Sequence, residues 1–341
     1  VLGYLYSVFS LYVLVVLLAG CSPSSQLHHL SGPTMGTQYH VSLVLPGDET
    51  SSVRVDDIGV AIDRVLHDVN HAMSTYIESS EISRFNRALP DTPTSVSAST
   101  VAVFQASLHL QRFSEGHFDP TVMPLVRLWG FGPDERSGAP DPEAIEAALA
   151  KVGIGAIELD VENGTLTKKS PVELDFSAIA KGYGVDAVAE LLLQQGIKGF
   201  LVEIGGEVRV GGTKPDGSPW RVGIERPEMA GRSAQMVVDL KGLSIATSGD
   251  YRNYFEQDGV RYSHTLDPRT GYPVMSRLAS VSVLAETCMQ ADGLATALMA
   301  MGERKAVEFA GSHGIDAYFM VREGEGFKEL FTGRFRQHAL H

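Results

Sequence analysis

The order of the periodic segments is what most constrains this chain. Apolar residues recur at helical spacing over 57–72, at Ile58, Ile62, Val65, Leu66 and Val69. They recur again over 98–114, at Val101, Phe104, Leu108 and Leu110, and Gly116 follows as a stop. Asp141-Pro142-Glu143 opens another helix with a cap, a proline in the first turn and an acid, and that helix ends at Gly153. Further helices are expected from Ala178 to Gln195, over 289–301 and over 303–311, the last two split by Gly302. Candidate strands lie at 36–45, 157–160, 165–168, 199–204, 207–211, 219–225, 235–240, 278–285 and 316–322, several of them parted by glycine-rich turns. Strands follow one another in runs as often as they alternate with helices. That order predicts an α+β fold of mixed sheets with packed helices rather than a doubly wound parallel sheet. No Pro/Ser-rich linker interrupts the chain, so one compact domain is expected over 32–335.

The N-terminal segment reads differently. Leu5 to Leu18 is almost wholly apolar and runs into Leu18-Ala19-Gly20-Cys21. An apolar core closing in small residues is the pattern of a secretory signal peptide. It is short for a transmembrane helix, which needs about 20 apolar residues. Leu-Ala-Gly-Cys resembles the lipobox of bacterial lipoproteins. That resemblance implies a signal peptide over 1–20, cleaved before Cys21, with lipidation of Cys21. Residues 21–31 then read as a polar tether. No Lys or Arg precedes the apolar core, and the alternative is an uncleaved signal anchor. With Cys21 acylated, Cys288 stands alone and no intramolecular disulfide can form. The net charge of −13 argues against nucleic acid as a partner.

Three segments can carry chemistry. In Asp175-Phe176-Ser177-Ala178-Ile179-Ala180-Lys181-Gly182 a strand gives way to a helix start, where free N–H groups suit a phosphate and Lys181 adds a point charge. Asp175 or Ser177 can equally be a plain N-cap. In Asp292-Gly293-Leu294-Ala295-Thr296 the acid and the hydroxyl sit four apart on one helix face. Both are hard oxygen ligands of the kind Mg²⁺ takes, though two alone do not make a site. The third segment runs from Ser244 through Thr247-Ser248-Gly249-Asp250 to His264-Thr265-Leu266-Asp267-Pro268-Arg269-Thr270-Gly271. Thr247 and Ser248 can cradle a phosphate or merely turn the chain. His264 can be a general base or an ordinary structural histidine. Walker A, Gly-x-Gly-x-x-Gly, His-Glu-x-x-His and Ser-x-x-Lys patterns are absent, and Gly242–Ala246 only approximates a Gly-x-Ser-x-Gly elbow.

Taken together and in order, these segments resemble the ApbE-type FAD:protein FMN transferases. Gly32-Pro33-Thr34-Met35-Gly36-Thr37, Met73-Ser74-Thr75-Tyr76, Ser80-Glu81-Ile82-Ser83-Arg84-Phe85-Asn86, Phe118-Asp119-Pro120-Thr121 and Leu128-Trp129-Gly130-Phe131-Gly132 join the three segments above in that resemblance. It implies that Met35, Tyr76, His117, Phe118, Asp119, Asp175, Lys181 and Leu266 line an FAD site, with Thr247 and Ser248 beside them. It implies that the Ala178 carbonyl joins Asp292 and Thr296 around Mg²⁺. It implies attack by an acceptor Thr or Ser hydroxyl on the FMN-side phosphorus of FAD, with AMP leaving, His264 as base and Asp267 either orienting it or shaping the turn. The resemblance points to subunits of sodium-translocating NADH:quinone reductase or Rnf-type complexes as acceptors, and so to the periplasmic side of the inner membrane, although Ser22 after Cys21 lacks the aspartate that usually retains lipoproteins there. Two other activities stay open: flavin binding without turnover, and hydrolysis of FAD to FMN and AMP. Gly293 departs from the family, whose members usually carry alanine there. Glycine loosens a helix by up to about 1 kcal/mol relative to alanine, so the expectation is a less rigid Asp292.

Overall fold

The computed structural model describes residues 25–47, 54–132, 138–227, 234–250, 254–257 and 260–340. The expected signal peptide and Cys21 lie outside these residues. The fold centres on an eight-stranded sheet, every pair antiparallel, in which spatial order follows chain order. Its strands are β1 (Gln26–Thr34), β2 (Thr37–Leu45), β3 (Phe200–Ile204), β4 (Glu207–Gly211), β5 (Ser244–Gly249), β6 (Leu278–Ala285), β7 (Asp316–Glu323) and β8 (Gly326–Thr332). The helices sit in the excursions between strands. Between β2 and β3 come α1 (Val55–Met73), α2 (Glu81–Arg87), α3 (Ala98–Phe113), α4 (Met123–Leu128), α5 (Pro142–Leu149) and α6 (Ala180–Gln194). Between β6 and β7 come α7 (Cys288–Met301) and α8 (Glu303–Ser312). The α+β expectation holds. Among the described residues no helix is long and apolar enough to cross a membrane.

Strand periodicity assigns the two faces of the sheet. Tyr39, Val41 and Leu43 of β2, with Phe200, Val202 and Ile204 of β3, pack on Ile58, Ile62 and Leu66 of α1 and on Val185, Val188 and Leu192 of α6. Burying each such side chain contributes about 1.5–3 kcal/mol. Further along, Val281 and Val283 of β6 meet Leu294 and Leu298 of α7 and Phe309 of α8. The opposite face is covered by Trp220, Ile224, Val238 and Phe335, which belong to or flank a small sheet of 221–225, 234–239 and 339–340. Strand β6 is buried from Leu278 through Leu284 because it is covered on both sides.

Register carries polar groups to the helix face at one place. β3 and β4 form a hairpin through Gly205 and Gly206, both with positive φ, and Ile204 pairs Glu207 while Val202 pairs Arg209. Partners in such a ladder share a face. Glu207 and Arg209 therefore point toward the helices, where polar atoms await them.

Several elements depart from the sequence reading, which had no helix at Glu81–Arg87 or Met123–Leu128, and four further departures follow. Gln26–Thr34 is a strand, although most of it read as tether. It is a polar edge strand that tolerates Pro33, and it is held by a two-residue hairpin turn. Met35 (φ +49) and Gly36 (φ +72) adopt the left-handed backbone that such turns need. Ser244–Gly249 is a central strand rather than a turn. Gly326–Thr332 adds an edge strand that the sequence reading lacked. Helix α6 begins at Ala180 rather than Ala178, which leaves Asp175 to Ile179 non-helical at its mouth.

Candidate active site

The helix face opens into a cleft of about 800 Å³ whose walls come from the excursions between β2 and β3, β5 and β6, and β6 and β7. That volume is typical for a small-molecule site. Tyr76, His117, Phe118, Asp119, Asp175, Ala178, Lys181, Thr247, Ser248, His264, Leu266, Asp292 and Thr296 all line it. Of the residues expected there, Met35 is not among the lining residues. It sits in the β1–β2 turn and packs between the two helix-side clusters, where a Cβ on Gly184 would stand 3.4 Å from its Sδ.

The inner corner of the cleft is set by a close crossing of α6 and α7. A Cβ on Gly182 would lie 2.4 Å from the Cys288 carbonyl oxygen and 2.8 Å from Asp292 Cβ, so only glycine permits the approach. Each helix start is completed by a carboxylate of the other. Asp186 of α6 accepts from the Cys288 N–H (3.0 Å) and the Met289 N–H (2.8 Å) at the start of α7. Asp292 Oδ2 of α7 accepts from the Gly182 N–H (2.9 Å) at the start of α6. Burial pushes the Asp186 carboxyl up, against the pull of those amides and of Arg209.

The second of these bonds redirects a backbone group. In a regular helix Gly182 N–H would donate to the Ala178 carbonyl. Here it donates to Asp292, and Ala178 O is left without that donor. Thr296, one turn after Asp292, places Oγ1 3.2 Å from Ser248 Oγ. A carbonyl, a carboxylate and a hydroxyl from two segments thus line one cleft, all hard oxygen donors of the kind a divalent cation takes.

Lys181 and Glu207 complete the corner. Lys181 Nζ lies 2.9 Å from Glu207 Oε1 and 3.8 Å from Asp292 Oδ1. Burial opposes the ammonium, but the charges of Asp292 and Glu207 outweigh it and raise the Lys181 pKa. Burial pushes the Glu207 carboxyl up to about 7, with Lys181 pulling it down and Asp292 pushing it further up. Glu207 Oε2 is buried without a hydrogen-bond partner. Sequence reasoning missed Glu207, because Gly205-Gly206-Glu207 read as a hairpin turn. The signal that finds it is register, since a residue paired with Ile204 must share its buried face.

The wall opposite is more loosely tied to charge. Thr247 Oγ1 meets Ser282 Oγ across the β5–β6 pair at 2.7 Å. Two of the expected carboxylates that line the cleft also brace turns. Asp119 accepts from Thr121 N and Oγ1 and from Ile154 N, and Asp175 accepts from Ser177 N and Oγ. His117 is buried, with Nδ1 2.8 Å from the Ser114 carbonyl, and burial lowers its pKa. His264 follows the strand Val260–Ser263 and stands edge-to-face with the Phe131 ring, centroids 6.3 Å apart. Asp267 shapes the turn: its carboxylate takes Arg269 Nε (3.1 Å) and Nη2 (2.9 Å). Burial opposes that charge, but the Arg269 bonds prevail and lower the Asp267 pKa. Trp129 Nε1 donates to the Gly271 carbonyl at 2.8 Å and pins the turn from outside.

Gly293 has a physical explanation. A Cβ there would stand 2.3 Å from Leu110 Cδ1. The Leu110 side chain of α3 occupies the space that a methyl group would fill. The flexibility expected at Asp292 is countered by packing from another helix.

Known proteins bear on these observations. Residues 35–319 match the model of the ApbE family. An FAD:protein FMN transferase of Vibrio cholerae is 47% identical over 325 residues, covering 94% of this chain and 96% of that protein. A second, of Haemophilus influenzae, is 43% identical over 326 residues and 94% of each chain. The solved flavin transferase ApbE from Vibrio cholerae superposes with a TM-score of 0.83 at 44% identity, covering 92% of this chain and 99% of that one. The apo form of the Pseudomonas stutzeri flavinyl transferase ApbE gives 0.84 at 40% identity, covering 92% and 97%. With its cleft assembled largely from segments that carried the sequence resemblance, this chain belongs to the ApbE family.

Proposed function

We propose that this chain is an Mg²⁺-dependent FAD:protein FMN transferase that moves FMN from FAD onto a Thr or Ser hydroxyl of an acceptor protein and releases AMP. The observation that carries the reading is the Gly182 amide, which donates to Asp292 rather than to the Ala178 carbonyl, in a cleft that Ala178, Asp292 and Thr296 all line. The names of the relatives support the transferase activity. Ala178 O, the Asp292 carboxylate and Thr296 Oγ1 would hold the cation. When bound, Mg²⁺ offsets negative charge on pyrophosphate oxygens.

The chain's own groups do the rest. Two carboxylates and one ammonium leave the inner corner with an excess of negative charge that a cation balances. Lys181 supplies a fixed positive charge toward the phosphates. Tyr76, Phe118 and Leu266 give the cleft apolar and aromatic surface for a flavin or adenine ring. The acceptor oxygen attacks the FMN-side phosphorus, a new P–O bond forms, and the bond to the AMP oxygen breaks. His264 takes the proton from the acceptor hydroxyl onto a ring nitrogen. Such transfer rests chiefly on positioning and charge. The acceptors we propose are subunits of sodium-translocating NADH:quinone reductase or Rnf-type complexes, met at the periplasmic side of the inner membrane by a protein anchored through Cys21.

Incubation with FAD, Mg²⁺ and an acceptor peptide tests the reading. A flavinylated peptide with AMP is the expected product. Free FMN with AMP would make the protein a pyrophosphatase, and unchanged FAD would make it a flavin-binding protein.

A further inference from the structure

The segment Ser80–Arg87 contributes no residue to the cleft lining, yet its side chains are occupied throughout. Ile82 and Phe85 are fully buried in the core. Its polar residues bond to backbone or side chains of other segments. Ser80 Oγ (2.6 Å) and Ser83 Oγ (3.4 Å) donate to the Ser74 carbonyl. Arg84 Nη1 donates to the Ser79 carbonyl at 2.7 Å, and Arg87 Nη2 to the Glu78 carbonyl at 2.6 Å. These bonds fasten the loop 74–79, which carries Thr75 and the 71% exposed Tyr76 into the cleft. Asn86 reaches the other way. Its Nδ2 donates to the Leu174 carbonyl (2.8 Å) and its Oδ1 accepts from the Leu174 N–H (2.7 Å), as a neighbouring strand would. Leu174 leads directly into Asp175 and Ala178. Glu81 faces a third element, accepting from Ser97 and Thr100 at the start of α3.

We propose that α2 is a clamp that positions two walls of the cleft separately: Arg84 and Arg87 set the Tyr76 loop for the flavin nucleotide, and Asn86 sets the Ala178 carbonyl for the cation. An exposed aromatic ring on a loop loses much of its freedom only on binding, and that cost falls when the loop backbone is already fixed. A two-way amide bond likewise fixes the strand-like run before Ala178 without a residue in the cleft. This proposal rests on the transferase reading of the same cleft.

The test separates the two arms by binding. FAD affinity is read by fluorescence titration of the full protein in EDTA, and Mg²⁺ affinity by the rise in Tm across an Mg²⁺ series. The Arg84→Ala/Arg87→Ala double variant is expected to weaken FAD by about tenfold with the Mg²⁺ midpoint unmoved, and Lys at both positions to restore part of the loss. Asn86→Ala is expected to raise the Mg²⁺ midpoint by about tenfold, the scale of lost support behind a metal ligand, with FAD affinity in EDTA held. Glu81→Ala lowers Tm and shifts neither affinity. Parallel loss of FAD affinity, Mg²⁺ affinity and Tm in all these variants would reduce α2 to a fold support and overturn the clamp. So would variants that move neither affinity. A wild-type protein that takes up neither FAD nor Mg²⁺ overturns the transferase reading itself, and the clamp with it.

Discussion

At the inner end of the cleft Asp292 is held by a backbone amide of a helix it does not belong to, while at the outer end His264 rides on a turn after a short hairpin strand. The inner groups are buried and cross-tied: Gly182, Asp292, Lys181 and Glu207 belong to three elements within bonding or ion-pair distance. The outer turn is organised by its own residues, with Asp267 bonding Arg269 and Leu266 bridging Pro273. The difference matches the work proposed for each end. A cation demands oxygens that cannot drift, because its coordination distances are short. A base that must reach a hydroxyl on another protein has to sit where that protein can come.

The comparison can be broken at either end. Asp292→Ala should abolish flavin transfer at ordinary Mg²⁺ concentrations, and it also strands the Gly182 N–H, a loss of about 1–3 kcal/mol of stability. Full flavinylation by that variant would remove Asp292 from the metal site. His264→Ala should keep FAD affinity while lowering the transfer rate about 10²–10⁴-fold, the usual contribution of a general base. Collapse of FAD affinity instead would make His264 a binding residue. Gly293→Ala should destabilise the protein by about 1–3 kcal/mol through overpacking. Urea titrations should show that Leu110→Ala in the same chain recovers part of that cost, since the two side chains compete for one space. Additive losses would mean that the pair is not coupled.

The smallest effect expected is a change in pH dependence. Glu207 titrates near 7 in the folded protein, above the ordinary value of about 4.3 for a glutamate. The folded state therefore binds an extra proton between those values, and stability falls as pH rises through that window. Glu207→Gln, followed by thermal unfolding in EDTA, should flatten this slope. An unchanged slope would assign it to another group.

Much of this was legible in the sequence because α1 carries strong apolar periodicity, because glycines such as Gly116 and Gly302 mark helix ends, and because Asp292 and Thr296 share a face at i, i+4. What was not legible depends on contacts between distant segments. Nothing local says that Gly182 lies under Cys288, or that Leu110 fills the space over Gly293. The strand Ser244–Gly249 hid because Thr-Ser-Gly looks like a turn, whereas its neighbours on both sides make it a ladder. Asp119 and Asp175 read as ligand contacts and both line the cleft, but the sequence did not show that they also accept from nearby N–H and O–H groups. Cys288 is fully buried, and burial pushes its thiol well up.

The exchange of caps between α6 and α7 also bears on how the protein assembles. Thr287 caps part of the α7 start, but the remaining first-turn amides of each helix take acceptors about a hundred residues away on the other. Each helix start is therefore completed only when the other arrives. A chain still emerging, with its C-terminal third unmade, holds an unfinished α6 and only a fraction of the oxygen cage. The proposed capacity to hold a cation would then arise in a single late step.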